Sequence, residues 1–361
     1  MSKLINREAL TKAAALVAPA LSSQNFIPAL SHIRFRNNTL TAYNDISALC
    51  VSCEHPLECL IPGDLLIKSL GALSGQQVKI EEDEDGRLIM SSGRSKIKLP
   101  TLPVSDFPLQ WPTSEAASLQ LHAEMIEGIA RCLVSVGTNT KHPAQMGVTM
   151  DTENGACVLF STDNVSLSRY RTQRPLKLPA DIPLIMPRFF CEQVVALSKA
   201  FLEQQAFLVM FTGALQVDFP DAATVFSKTP VDLEPVDFQR MFNRHCGPRA
   251  IEALVDIPDS FDRAFERAAL VLTSEQSKVT EVHCEGDSIR LLSRCPMGEA
   301  DDTMPYDGPE FQPFGVDPTL VLRVCKTCSS VSLAGDALVL TDGSDMTFTH
   351  MIAHVALPAR A

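Results

Sequence analysis

One plan is written three times along this chain, and that repetition restricts the fold more than any single motif. Helical stripes begin near residues 6, 122 and 258: Leu10, Ala14, Val17 and Leu21, then Ile126, Ile129, Leu133 and Val136, then Phe261, Phe265, Ala268 and Leu272. Spacings of three and four mark amphipathic helices. Three further helices open at Pro62, Pro187 and Pro318, since proline is tolerated in a first helical turn. After each helix come short runs of strand period, such as residues 29–35, 39–43 and 48–54, with Asn37-Asn38 as a hairpin signal. The predicted order is α-β-β-β-α-β-β-β in each copy. Hairpins with few long crossovers imply antiparallel sheets with helices on one face, an α+β fold. The copies divide at 1–115, 116–243 and 244–361, a period that means duplicated domains and suits closure into a ring.

Residues 91–108 close the first copy. Arg94, Lys96 and Lys98 alternate with Ser95, Ile97 and Leu99, and Pro100, Pro103 and Pro108 follow. Prolines cannot donate to a ladder, so an exposed basic edge strand is expected to run into an extended connector. Edge strands invite pairing with another chain, and lysines normally blunt them. Here Ile97 and Leu99 leave an apolar row as well.

With 45% hydrophobic and 20% charged residues the chain is a folded globular protein. Its net charge of −12 ordinarily argues against a nucleic-acid partner. The eleven cysteines include the pairs Cys50/Cys53 and Cys325/Cys328, without further ligands at zinc-site distance. An odd count behind Met-Ser-Lys-Leu-Ile-Asn-Arg-Glu, a polar helix start and not a secretory leader, points to reduced thiols in a cytoplasm. No apolar run reaches bilayer length, so no membrane partner is expected.

Ser92-Gly93-Arg94-Ser95, Thr101-Leu102-Pro103 and Asp106-Phe107-Pro108 resemble the S-G-R-S, T-L-P and D-F-P of the bacterial DNA sliding clamps, the β subunits of DNA polymerase III. Ser161-Thr162-Asp163, Phe226-Ser227-Lys228, Phe238-Gln239-Arg240, residues 264–269 and Leu357-Pro358-Ala359-Arg360 extend the resemblance over the full length. It implies a head-to-tail homodimeric ring around duplex DNA, without sequence specificity. Replicative polymerase and clamp loader would be tethered through short linear peptides, and no cofactor or metal is implied.

The resemblance assigns three sets of residues. Six helical segments (6–20, 62–73, 122–135, 187–201, 258–271 and 315–328) carry net charge +1 against −13 elsewhere, so an acidic ring could repel DNA outside and admit it within. Lys12, Lys68, Arg131, Arg188, Lys199, Arg263, Arg267, Arg323 and Lys326 are the candidate phosphate contacts; each could equally be a solvated helix face. Gln24 stands where the family carries a DNA-contacting arginine, and the loop with Lys141 and His142 replaces an aromatic stretch. The peptide groove maps to Thr162, Asn164, Val165, Ser166, Leu167, Val236, Arg240, Met241, Val355, Leu357, Pro358 and Arg360. Asn164-Val165-Ser166-Leu167 replaces Gly-His-Arg-Leu, and the apolar floor persists. The dimer interface maps to Arg94, Lys96, Ile97 and Leu99 on one subunit, facing Val271, Leu272, Glu299, Asp301 and Asp302 on the other. Apolar burial would supply affinity there and charge would set register.

No nucleophile elbow, phosphate loop or HExxH motif is present, and the nearest reactive grouping is Asp342, Ser344, Asp345 and His350. The reading is a non-catalytic processivity factor. Two alternatives stay open: a hydrolase on this scaffold, and a clamp-like paralogue that sequesters clamp-binding peptides without encircling DNA.

Overall fold

Among the described residues each copy holds eight strands, two more than its sequence pattern predicts. The computed structural model describes residues 3–23, 26–84, 86–114, 116–139, 141–175, 183–229, 233, 236–274, 278–342 and 346–357. The first copy comprises β1 (Lys3–Asn6), α1 (Arg7–Val17), β2 (His32–Arg36), β3 (Thr39–Tyr43), β4 (Ser47–Ser52), β5 (Cys59–Pro62), α2 (Gly63–Ala72), β6 (Gln77–Glu82), β7 (Leu88–Ser92) and β8 (Ser95–Leu99). The second has β9 (Ala117–Leu121), α3 (Ala123–Cys132), β10 (Gly147–Glu153), β11 (Ala156–Thr162), β12 (Ser166–Pro175), β13 (Leu184–Pro187), α4 (Arg188–Ala200), β14 (Ala206–Phe211), β15 (Ala214–Phe219) and β16 (Ala223–Lys228). Two helices follow, α5 (Phe238–His245) and α6 (Pro248–Glu252). The third has β17 (Val255–Asp256), α7 (Phe261–Val271), β18 (Thr280–Glu285), β19 (Ser288–Cys295), β20 (Gly298–Pro305), β21 (Phe314–Val316), α8 (Pro318–Leu322), β22 (Ser330–Ser332), β23 (Ala337–Thr341) and β24 (Phe348–Ala353).

The strands the pattern misses are β1, β5, β9, β13, β17 and β21, each two to five residues long and just ahead of a helix. They are too short for a period to show. The N-terminus is therefore a strand before it is a helix. Asn6 ends β1 and caps α1, its side chain accepting from the Ala9 N–H at 3.0 Å. Pro62 and Pro187 close strands instead of opening helices. They sit on β5 and β13, the outermost strands of their sheets, where a missing N–H leaves no ladder bond unmade. Pro318 does open its helix, capped by Asp317. That helix has five residues, well short of the segment 315–328, and a 3-10 turn at Cys325–Thr327 follows it. Val321 and Val324 are β-branched and poor helix formers, and both are buried in the core.

The sheets join the copies. In one eight-stranded sheet the order is β5-β2-β3-β4-β16-β15-β14-β9, and in the other β13-β10-β11-β12-β24-β23-β22-β17. The fourth strand of one copy thus pairs with the last strand of the next: β4 with β16 (Ser47↔Ser227 to Val51↔Ala223) and β12 with β24 (Ser166↔Ile352 to Tyr170↔Phe348). Two four-stranded sheets remain, β1-β6-β7-β8 and β20-β19-β18-β21, each with one such strand at its edge. Two compact units result, Met1–Ile126 with Phe189–Val231, and Glu127–Arg188 with Asp232–Ala361. They cut across the second copy because a shared sheet holds its halves more tightly than its own chain does.

Each shared sheet carries an apolar cluster supplied by the connector between copies. In the first unit Phe107 and Leu109 pack with Tyr43, Leu60 and Phe226, with Trp111 alongside. In the second unit Phe238 and Phe242 pack with Phe160, Leu167, Val339 and Met351. The Pro-rich connector is extended as expected, apart from a 3-10 turn at Val104–Asp106.

Candidate functional site

The β11–β12 turn builds one wall of a groove in the second unit. Asp163 Oδ1 accepts from the Val165 N–H at 3.1 Å, the Ser166 N–H at 2.6 Å and the Ser166 hydroxyl at 3.0 Å. Asn164 can then adopt φ 71°, a left-handed conformation that asparagine tolerates. Thr162 Oγ1 donates to the Ser166 carbonyl at 2.7 Å, and Gln145 donates to Asn164 Oδ1 at 2.7 Å. Behind this turn, Ser135, Ser166, Ser168 and His350 form a buried polar chain, with Ser168 2.8 Å from His350 Nδ1. The Ala353 N–H bonds the Val165 carbonyl at 2.8 Å and ties β24 to the wall. Helix α5, capped by Asp237, forms the other wall.

The groove has a cavity volume of about 60 Å³ and is lined by Thr162, Asn164, Val165, Ser166, Leu167, Met241, His245, Ala337, Met351 and Ala353. Six of the residues assigned from sequence are brought together here. Val236 packs into the apolar cluster beneath, and Arg240 is exposed on α5. Val355 bridges Gly315, and Leu357 lies against that glycine, so both stand by β21 and not among the lining residues. Pro358 and Arg360 fall outside the described residues. His245, Ala337, Met351 and Ala353 carry no distinguishing mark in the sequence, because α5 is only Phe238–His245 and the strand positions resemble ordinary core. Met241 and His245, four apart, share a helical face, which is the signal that was available.

The first unit repeats the turn. Asn44 Oδ1 accepts from the Ile46 N–H at 3.1 Å and the Ser47 N–H at 2.8 Å, Asp45 has φ 78°, and the Lys228 N–H bonds the Ile46 carbonyl at 2.9 Å. Here, however, Trp111 packs edge-on against Phe226 and Lys228 reaches over Tyr43 to Asp45. An aromatic and a lysine stand where the second unit leaves its groove.

The helix-borne cations fall into two groups. Lys12, Lys68, Lys199 and Arg263 are exposed and make no ion pair among the described residues. Lys141 and His142 are exposed beside the 3-10 turn Pro143–Gln145, and Gln24 lies outside the described residues. Arg188 is exposed at the start of α4. The others are already engaged. Arg131 pairs with Asp342 at 2.6 Å and Glu127 at 2.9 Å and lies over the Phe348 ring. Arg267 chelates Asp302, Lys326 pairs with Glu266 at 2.8 Å, and Arg323 donates to the Val134 carbonyl at 3.2 Å.

The two edges also differ from expectation in detail. Arg94 sits in the two-residue turn before β8, not in the strand. Lys96 is exposed and Ile97 half-buried, but Leu99 is 4% exposed and belongs to its own unit's core. Leu272, at 1% exposure, is likewise core and cannot serve as a contact; its neighbour Leu270 is 76% exposed and Val271 half-buried. The acidic cluster is not unpaired: Arg294 meets Glu299 at 3.1 Å, Arg290 meets Asp301, and Arg267 meets Asp302. The Arg290 guanidinium holds the Asp301 carboxyl below the usual carboxylate range.

The reactive grouping dissolves. Asp342 is spent on Arg131 and the Phe348 N–H, His350 is fully buried, and Ser344 and Asp345 are outside the described residues. All eleven cysteines are free thiols, and burial pushes Cys328 up to about 12. Among the described residues no three metal-ligating side chains cluster, and no helix is long and apolar enough to cross a membrane.

A thrice-copied α+β unit, fused through shared sheets and carrying a groove beside a connector helix, has the architecture of the DNA-clamp folds. Residues 1–111 match the family described as DNA polymerase III beta subunit, N-terminal domain. The beta sliding clamp of Proteus mirabilis is 24% identical over 376 residues, covering 100% of both chains. That of Staphylococcus aureus is 22% identical over 239 residues, covering 66% of this chain and 61% of its own. Among solved structures, the sliding clamp of Bartonella birtlesii bound to griselimycin superposes with TM-score 0.86 at 16% identity, covering 99% of this chain and 100% of that one. The Caulobacter crescentus clamp, with PEG bound to its putative beta-motif tethering region, gives TM-score 0.82 at 22% identity, covering 99% and 100%. The chain is similar over its full length to bacterial DNA sliding clamps and shares their fold.

Proposed function

We propose that this protein is a DNA polymerase processivity factor: a cytoplasmic, non-catalytic homodimeric ring that encircles duplex DNA and tethers replication proteins through peptides seated in the groove. One observation carries the reading. Fourth strand meets last strand at both internal junctions, and the two strands left over are β20 and β8. A second copy supplies the missing partner at each, and head-to-tail contact of unlike edges closes when the rotation is right. Ile97, Leu270 and Val271 are the apolar residues available to that contact. The acidic cluster, already paired within its subunit, would meet Arg94 and Lys96 as a network. Lys12, Lys68, Lys199 and Arg263 are the cations open to phosphate, and the acidic remainder keeps DNA from adhering elsewhere. The boundaries 1–115, 116–243 and 244–361 describe the copies, while the sheets describe the bodies.

The test is topological. The protein should sediment at about twice its 39.4 kDa. Loaded onto nicked circular DNA, it should be retained and then run off after linearisation. A monomer, or persistence on linear DNA, would sink the ring and leave the peptide-sequestering reading in its place.

A further inference from the structure

The internal repeat gives the groove a counterpart in the first unit. Leu167 pairs with Met351 and Ala337 with Ala353 in the second unit; Ala48 pairs with Phe226 and Ala214 with Lys228 in the first. These counterparts are covered. Residues 107–111 lie against them with alternating burial: Phe107 and Leu109 are buried, Pro108 and Gln110 exposed, Trp111 half-buried. That is the period of an extended peptide laid on a surface, every second side chain inward. Phe107 and Leu109 share one apolar cluster with Tyr43, Ala48, Ala214 and Phe226, and Trp111 stands edge-on to Phe226 at 5.7 Å. Backbone bonds tie Leu102 to Leu60 and Ala116 to Met210. Among the described residues, 108–114 make no backbone–backbone bond, so side chains hold the segment there. Pro108 biases Phe107 to extended backbone, with φ −79° and ψ 117°. In the second unit the connector coils into α5 instead, and Phe238 stacks on Phe160 at 5.3 Å without lining the groove.

We propose that residues 107–111 are a tethered ligand: they fill a second peptide site in the first unit, one for apolar and aromatic anchors, which Trp111 holds shut. The occupancy stands on the first unit's own contacts; that the surface is a site for peptides rests on the groove reading above. Phe107 and Leu109 are rooted in the core, and Trp111, half-buried at the end of the row, is the anchor that can leave. Lys228, over the Tyr43 ring and 3.4 Å from Asp45, closes the end where the second unit has only Ala353. An anchor borne on a short link competes at an effective concentration on the order of millimolar, so a free peptide enters only where Trp111 is withdrawn.

The experiment uses the full chain and fluorescein-labelled Gly-Leu-Gln-Trp-Gly, the connector's own order at 109–111, read by anisotropy and by calorimetric stoichiometry. Met241→Arg blocks the second unit's groove in every chain compared. On that background Trp111→Ala should bind the probe at least about tenfold tighter than the chain that keeps Trp111, with a single equivalent taken up. A probe with Ala in place of Trp should lose the gain. Adding Leu109→Ala should tighten binding further, since both anchors are then vacant. Trp111→Ala should remain folded, because the indole is half-open. Trp111→Val, which keeps part of the packing, should show a smaller gain and carries the test if the Ala variant melts early. No gain in a variant that melts like the parent would overturn the proposal, as would a gain that the Ala probe shares. If the parent and its Met241→Arg variant bind the probe alike, the second unit's groove reading falls, and the Trp111 comparison still decides this one.

Discussion

His350 and His354 hold their imidazoles in places that do not tolerate charge. His350 is buried among serines, with Nε2 unpartnered, and burial lowers its pKa to about 3. His354 lies face to face with Phe314 at 3.6 Å, and burial lowers its pKa to about 4. Both fold neutral and would take protons near pH 6.5 when unfolded. A base depressed in the folded state contributes stability that is complete above its unfolded pKa and lost as pH falls toward the folded one. Stability should therefore decline from about pH 6.5 downward, by up to ~1.4 kcal/mol per pH unit for each histidine. Urea titrations at several pH values measure this. In His350→Gln the slope between pH 6 and 4 should be shallower, and an unchanged slope would show that the ring does not titrate on unfolding.

At the scale of the element, the edge strand separates two roles that one alternating pattern had merged. Ile97→Asp should abolish dimerisation and leave the melting of the monomeric chain near that of the parent. Leu99→Ala should cost about 2–5 kcal/mol of folding stability, because its side chain is inside its own unit. Analytical ultracentrifugation beside calorimetry distinguishes the two. Equal loss of dimer in both variants would mean that the whole strand face is interface. Much of this was legible in the sequence. Long helical stripes and hairpins announced α1, α3, α7 and the middle strands, because burial imposes a period over enough residues to be seen. What stayed hidden was short or borrowed: strands of two to five residues before helices, the truncated α8, and α5, whose pattern serves a connector. The groove was half legible. Asn44-Asp45-Ile46-Ser47 and Asp163-Asn164-Val165-Ser166 are the same turn spelled twice, but only the second has His245 opposite it.

For the whole molecule, the proposed ring would divide the work of holding DNA between charge and topology. Of the helix-borne cations, Arg131, Arg267 and Lys326 are neutralised within the chain, so their loss should change stability or assembly more than DNA affinity. Replacing Lys12, Lys68, Lys199 and Arg263 by Ala should weaken clamp–DNA contact uniformly across sequences. It should flatten the salt dependence of binding by roughly one unit of log–log slope per lost phosphate contact. Retention on circular DNA at moderate salt should persist, since enclosure does not need ion pairs. A quadruple variant with an unaltered salt slope would place the phosphate contacts elsewhere.

The fusion of neighbouring copies through β4–β16 and β12–β24 has a practical consequence for anyone who cuts the gene. A fragment ended at residue 115 would keep β4 with its hydrogen-bonding flank stripped, a long apolar border ready to stick to the next molecule. Excision would have to follow the weave of the cloth, not the printed pattern: the smallest piece with finished hems takes a whole copy together with half of its neighbour.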